Sequence, residues 1–373
     1  MHYYTLGRTG LKVSRLALGT MTFGDDWGWG ADDSMSRQIF DAYVEAGGNF
    51  FDTADLYTNG RSEEMLGAFI RDAGIRDAAV IATKFSYNGQ PGNPNAGGNG
   101  RKNIMRAVEG SLKRLGTDYI DLYILHTWDR VTPAEEVMRT FDDLVRSGKV
   151  RHVGLSDVPA WYASRAQTIA ELRGYEPVSA LQLEYNLTER NIENEFVDLG
   201  TTHGMGIMVW SPLASGLLSG KYNPSKEGAL GEGRLKTVEG SGNPAFEKFT
   251  VRNWQIVAEL EKVATELGRS MAQVAVNWVA NQPGVASVLI GATKLHQLQD
   301  NLGALDFAIP AELLTRLDAV SAEAARFPYT FFGPELQGML TGGTVVGDKP
   351  AGYYRDKTLG GAGAGVGAEV EES

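Results

Sequence analysis

Four side chains carry the strongest chemical signal in the sequence: Asp52, Tyr57, Lys84 and His126. Asp52 ends the short apolar run 49–51, Lys84 ends 79–83, and His126 follows 120–125. Tyr57 comes five residues after Asp52. If these runs are neighbouring parallel strands, all four groups converge on one edge. The chemistry open to such a set is proton transfer to a carbonyl oxygen. A free tyrosine titrates near about 10, too high for efficient donation at neutral pH. A nearby ammonium favours the tyrosinate. Lys84 can supply that charge, Asp52 can keep it charged and oriented, and His126 can hydrogen-bond the substrate oxygen. A tyrosine tuned in this way is a general acid worth roughly 10²–10⁴ in rate. The carbonyl must also receive electrons, and hydride from a nicotinamide is the natural source.

Taken singly, these residues have ordinary explanations: a helix cap, a packing ring, a satisfied core histidine. Lys84 is the least ordinary, because Ile81, Ala82 and Thr83 draw it inward. A metal centre is poorly supported. The five histidines, His2, His126, His152, His203 and His296, form no H-x-H or H-x-x-x-H pair, and the chain has no cysteine. A barrel lyase or aldolase using Lys84 as a Schiff-base amine stays open as an alternative.

The elements that must position these groups alternate along the chain. A hairpin is expected at 3–13, then strands at 16–18, 49–51, 79–83, 120–125, 150–155, 180–183, 206–210 and 285–290. Helical spacing falls between them at 34–46, 62–73, 101–115, 133–147, 160–173 and 192–203, and later at 251–267, 271–281 and 295–302. Strands alternating with helices imply a parallel sheet. Eight such units without a linker favour a closed (β/α)8 TIM barrel, an α/β fold, whose active site lies at the C-terminal strand ends. An open dinucleotide-binding sheet should show G-x-G-x-x-G after its first strand. Gly19-Thr20-Met21-Thr22-Phe23-Gly24 does not match it. The expected organisation is one barrel domain over 1–325, an extension over 326–358 that covers the mouth, and a disordered tail over 359–373. The Gly-, Asn- and Pro-rich stretch 86–100 and the long polar stretch 213–250 read as loops that serve a ligand.

Composition narrows the class. Hydrophobic residues are 43% and charged residues 22%, enough for a large core in a water-exposed molecule. A net charge of -11 without a basic run argues against nucleic acid and anionic membrane as partners. The N-terminus does not read as a signal peptide, and no apolar run has the length of a membrane span. The expectation is a cytoplasmic protein acting on a small molecule.

The residues at the strand ends resemble a known family. Gly48-Asn49-Phe50-Phe51-Asp52-Thr53-Ala54-Asp55-Leu56-Tyr57, followed by Gly60-Arg61-Ser62-Glu63, is similar to the first signature of the aldo-keto reductases. Ile81-Ala82-Thr83-Lys84 and Leu125-His126 resemble its next two active-site segments. The similarity runs over about 3–317, and in motif style it is nearest the bacterial and potassium-channel β-subunit-like branch. The resemblance implies a catalytic tetrad of Asp52, Tyr57, Lys84 and His126, and NADP(H) bound in extended form without a Rossmann fold. Channel β subunits of this fold bind NADP with weak turnover, so a regulatory or redox-sensing module is the second reading. The presence of His126 favours the enzyme.

By motif, the resemblance implies that Thr20 and Met21 lie near the cofactor and that Ser156, Asp157 and Gln182 hold the carboxamide. Relatives often carry Asn where this chain has Asp157, and a carboxylate cannot donate where an amide does. It further implies that Trp210 stacks on the nicotinamide and that Ser211, Leu213, Gly216, Gly220 and Lys221 line the pyrophosphate, with Arg234 clamping from outside. Gly291, Thr293, Lys294, Gln297, Asp300 and Asn301 are similar to the adenosine-phosphate motif. A strand meeting a helix N-terminus there favours anions, and Thr293 with Lys294 suits a 2′-phosphate. For the substrate, Phe23, Trp27, Trp29, Tyr87 and Trp128 fall in segments able to wall a pocket, as does the cluster Phe327, Tyr329, Phe331 and Phe332. Aromatic walls suit an apolar or ring-bearing carbonyl. Relatives of this kind act on bulky alicyclic or aromatic compounds, such as sterol-like molecules or mycotoxins.

Overall fold

A computed structural model describes residues 1–222, 235 and 246–344. Arg234, most of the long stretch 213–250 (residues 223–234 and 236–245), the part of the extension at 345–358 and the tail at 359–373, all singled out in the sequence, lie outside the described residues.

The chain opens with an antiparallel hairpin, β1 (Tyr3–Thr5) and β2 (Lys12–Ser14). Eight parallel strands follow: β3 (Leu16–Gly19), β4 (Phe50–Asp52), β5 (Val80–Phe85), β6 (Ile120–Leu125), β7 (Val150–Ser156), β8 (Val178–Glu184), β9 (Gly206–Trp210) and β10 (Val285–Ile290). Each pairs with the next, and β10 returns to pair with β3, so the sheet closes on itself. This is the (β/α)8 barrel expected from the alternation. Closure removes both sheet edges.

Helices α1 (Asp33–Glu45), α2 (Arg61–Ala73), α3 (Arg101–Leu115), α4 (Ala134–Arg146), α5 (Ala160–Arg173) and α6 (Phe196–His203) connect the first strands. α7 (Val251–Leu267), α8 (Met271–Ala280), α9 (Leu295–Leu302), α10 (Ala311–Ser321) and α11 (Pro334–Leu340) complete the described helices. Their faces follow from sequence. α4 buries Val137, Met138, Phe141 and Leu144, spaced for one stripe. Its first turn holds Glu135 and Glu136 and its last turn Arg146, each complementing the helix dipole.

Some boundaries differ from the sequence expectation. Pro133 is not in the first turn but caps α4 in extended conformation. The helix expected over 192–203 is split, because Glu195 leaves helical geometry between a 3-10 turn at Asn191–Asn194 and α6. Lys84 lies inside β5 rather than after its end. α10 and α11 were not expected.

The barrel interior is filled by Ala17, Phe50, Val80, Ala82, Leu122, Ile124, Ala180 and Met208. Leu6 and Val13 of the hairpin region join this cluster and plug its N-terminal end. Gly7 permits that plug. It has φ 55°, and a side chain there would meet the carbonyls of Gly204 and Ser179. The lower end is sealed by packing, which leaves the C-terminal strand ends for chemistry. Among the described residues no helix is long and apolar enough to cross a membrane.

Candidate active site

Strand alternation aims the polar residues. Phe50, Val80, Ala82, Leu122, Ile124, Ala180 and Met208 point into the barrel. With a side-chain period of two, Asp52, Lys84, His126, Gln182 and Trp210 continue those rows at the top. Lys84 pairs in register with Ile124, and Asp52 with Ala82.

Lys84 is fully buried, and its ammonium donates to Asp52 Oδ1 at 2.6 Å and to the Thr53 carbonyl at 2.7 Å. It also hydrogen-bonds the Tyr57 side chain. All three ammonium donors are thereby used. The second carboxylate oxygen of Asp52 accepts from Gln182 Nε2 at 2.7 Å. The Asp52 carbonyl accepts from both the amide and the hydroxyl of Thr20. Ser62 and Thr53 extend this network, so the Thr20 hydroxyl is committed to the scaffold.

Tyr57 opens a 3-10 turn, Tyr57–Gly60, in which Thr58 and Asn59 take left-handed conformations. The Thr58 hydroxyl pins that turn to the Phe23 carbonyl at 3.1 Å. The Tyr57 ring centre lies 5.0 Å from Lys84 Nζ and 5.9 Å from the His126 ring. His126 is held through its amide, which donates to the Phe85 carbonyl and to Ser86 Oγ. Ser86 in turn donates to Asn99 from the Gly-rich loop. Ser86 and Asn99 were not singled out in the sequence, although the position of Ser86 two residues past Lys84 was a usable signal.

The charges are settled by their surroundings. Burial opposes the Lys84 ammonium, but Asp52 and Tyr57 outweigh it and hold its pKa above the ordinary value. Burial raises the pKa of Asp52, and Lys84 and Gln182 pull against that rise. His126 is driven well below its usual pKa, first by enclosure and then by the Lys84 charge. Its imidazole is therefore neutral, and Nδ1 is buried without a hydrogen-bond partner.

The aromatic residues divide. Trp27 packs edge-on to Tyr57 at 6.4 Å and against Trp29 at 5.6 Å. Tyr87 stands edge-on to His126 at 5.0 Å. Trp128 meets Trp161 and Tyr162, and its amide donates to the Asp157 carbonyl. Phe23 is corrected: it is fully buried against Phe69, inside the core rather than on a wall. Phe327, Phe331 and Phe332 are exposed. Phe327 meets Phe331, and Tyr329 meets Phe332. Their segment borders residues 190–196 across a cleft of about 460 Å³.

Further round the mouth, Ser156 ends β7 and is buried, and Asp157 follows it with φ 46°. Asp157 Oδ1 accepts from the Trp210 indole at 3.1 Å. After β9, Ser211, Ala214, Ser215, Gly216 and Gly220 all have positive φ. Such runs turn successive amides toward one side and form anion-binding concavities. Leu213 supports the turn through its carbonyl, which accepts from Gly216 and Leu218. Lys221 is exposed and lies beside Gly216. At the end of β10, Gly291 sits beside Thr22, whose buried hydroxyl has no hydrogen-bond partner. The residues present thus fit an extended anionic dinucleotide. Lys294 is exposed at the start of α9. Gln297 caps the Thr293 amide at 3.0 Å, Asp300 accepts from Ser270, and Asn301 is buried. In this arrangement Gln297 and Asp300 serve the scaffold, and Met21 lies half-buried in the turn after β3.

Behind the tetrad lies a second polar cluster absent from the sequence reading. Glu63 is buried, accepting from Thr83 and from Arg114, each at 2.6 Å. Asp55 sits between Ala54 and Leu56 of the same loop, with its amide on the Lys84 carbonyl and Oδ1 unpartnered. Burial, then the Glu63 charge, pushes its pKa up to about 7. A carboxyl whose folded pKa is raised costs nothing below its unfolded pKa, and the cost grows as pH rises toward the folded value. Asp55→Asn should therefore stabilise the fold at pH 8 by up to a few kcal/mol and change little at pH 4. Urea unfolding at the two pH values checks this, and an equal effect at both would refute it.

The barrel agrees with comparison to known proteins. Residues 15–322 match the aldo/keto reductase family. The chain is 38% identical over 325 residues to a probable voltage-gated potassium channel subunit beta of Oryza sativa subsp. japonica, covering 86% of this chain and 96% of that one. It is 34% identical over 340 residues to an aryl-alcohol dehydrogenase [NADP(+)] of Phanerodontia chrysosporium, covering 87% and 86%. A norsolorinic acid reductase of Aspergillus flavus is 30% identical over 338 residues, covering 88% and 83%. With a family match over most of its length and an eight-stranded barrel carrying Asp52, Lys84 and Tyr57 in one hydrogen-bonded set, this chain belongs to the aldo/keto reductase family.

Proposed function

We propose that this oxidoreductase uses NADP(H) to interconvert a carbonyl and an alcohol, with Tyr57 as the acid or base at the substrate oxygen. The observation that carries the reading is the Lys84 ammonium, buried and shared between Asp52 and Tyr57. A bound nicotinamide supplies or accepts the hydride. Tyr57 gives its proton to the substrate oxygen in reduction, and Lys84 stabilises the tyrosinate left behind. Asp52 balances the Lys84 charge through the cycle. His126, neutral, hydrogen-bonds the substrate oxygen and orients it. Catalysis of this kind needs water kept out, which Trp27, Tyr87 and Trp128 do at the rim.

The Schiff-base alternative is weakened by the same contacts. An imine-forming lysine needs a free, neutral amine, and Lys84 is charged with every donor engaged. For the cofactor, Ser156, Asp157, Gln182 and Trp210 would hold the nicotinamide end. The positive-φ run from Ser211 to Gly220, with Lys221, would hold the pyrophosphate. Thr293 and Lys294 would meet a 2′-phosphate, which favours NADP over NAD, and the dehydrogenase relative acts with NADP(+). The rim rings and that relative's name favour a ring-bearing substrate, an aryl alcohol or aldehyde or a bulky alicyclic ketone of sterol or mycotoxin type.

The test is loss of nicotinamide absorbance with a panel of aromatic aldehydes and alicyclic ketones. Turnover is expected with NADPH, falling about tenfold with NADH, and Lys294→Ala should narrow that gap. Tight NADPH binding without turnover of any panel member would favour a nucleotide-binding regulator of the channel-subunit kind.

A further inference from the structure

We propose that Asp157 lets the mouth discriminate between the oxidation states of the nicotinamide, its carboxylate favouring the cationic ring of NADP+ over the neutral ring of NADPH. This rests on the nicotinamide reading above and extends it to a charge that a carboxamide-binding role does not require. Asp157 is exposed in the mouth between the ends of β6 and β9. Its carbonyl receives the Trp128 amide and its carboxylate the Trp210 indole. A ring laid against Trp210 is therefore close to this carboxylate.

The neighbouring charges leave Asp157 as the unmatched one. Lys84 is paired with Asp52, and Glu184 with Lys248 at 2.9 Å. His126 is neutral, and Tyr87, whose pKa is raised by enclosure and then by Asp157, stays protonated. Among the described residues no cation forms an ion pair with Asp157. A positive ring is the complementary group. Although part of the residue reaches solvent, burial of its carboxylate is the main cause that raises the Asp157 pKa to about 6, with Glu184 adding to the rise and Trp210, Ser156 and Lys84 opposing it. The carboxylate is thus ionised above that pH and neutral below it, and the preference switches on as pH rises. Asn at this position, of similar size and able to accept the indole bond, has no such switch.

The experiment is equilibrium binding of NADP+ and NADPH to the full chain, followed by tryptophan fluorescence, at pH 5.5 and 8. It is run on the parent and on Asp157→Asn. In the parent, the ratio of Kd for NADPH to Kd for NADP+ should rise on the order of tenfold across this range. In Asp157→Asn it should stay flat. A 2′-phosphate also titrates near about 6, but both nucleotides carry it and it cancels in the ratio. A flat ratio in the parent, or the same rise in Asp157→Asn, overturns the inference while leaving the nicotinamide reading intact. Failure of both nucleotides to bind overturns the two together.

Discussion

Tyr57→Phe is expected to lower carbonyl turnover by about 10²–10⁴ while nucleotide affinity stays within about twofold. The substitution keeps the ring that packs on Trp27 and faces His126. It removes only the hydroxyl that Lys84 bonds. Lys84 then holds one buried donor without an acceptor, a cost of about 1–3 kcal/mol, so unfolding should shift modestly and the barrel should persist. Because the lost group acts only once substrate is bound, kcat should fall much more than KM rises. Single-turnover NADPH oxidation by an aromatic aldehyde, beside nucleotide titration, separates the two effects. A loss smaller than tenfold would remove Tyr57 as the proton donor and leave it a packing ring on Lys84. A large loss accompanied by lost nucleotide binding would mean that the loop had collapsed.

The barrel and the tetrad were legible because both rest on short-period patterns. Alternation within strands puts Asp52 in the row of Phe50 and Lys84 in the row of Val80 and Ala82. The end of β5 was placed two residues too early, at 83 instead of Phe85, without changing which face Lys84 occupies. Period fixes the face even where the boundary slips. Less was legible where position depends on partners distant in sequence. Phe23 read as a wall because it follows a strand end, yet Phe69 of α2 and Phe40 of α1 build an aromatic cluster that takes it in. Glu63 stood in the sequence only as the end of the first signature segment, with no local cue to its burial. It is buried because Arg114, 51 positions later, reaches it. The role of Ser86 likewise depends on Asn99 folding back from the glycine-rich loop.

Those partners also explain why Asp52 and Lys84 must be considered as one unit in any substitution. Lys84→Met is expected to destabilise the fold by about 3–5 kcal/mol near neutral pH, as well as to abolish turnover. The methionine fills much of the lysine's volume, so cavity formation is a minor part of the cost. The main cost is electrostatic: Asp52 Oδ1 loses its ammonium, and Gln182 alone faces a buried carboxylate. With Lys84 absent, burial raises the Asp52 pKa against Gln182 alone. A raised carboxyl pKa removes stability as pH climbs above the unfolded value of about 3.9. The deficit should therefore be small at pH 4 and large at pH 7.5. Adding Asp52→Asn removes the charge and should recover part of the deficit at pH 7.5 but almost none at pH 4. Turnover should stay absent in both variants. Urea unfolding of the parent, Lys84→Met and the double variant at both pH values measures the coupling directly. A deficit independent of pH, or no recovery in the double variant, would show that Lys84 contributes packing alone. In that case Asp52 would not be the group that holds the ammonium against Tyr57.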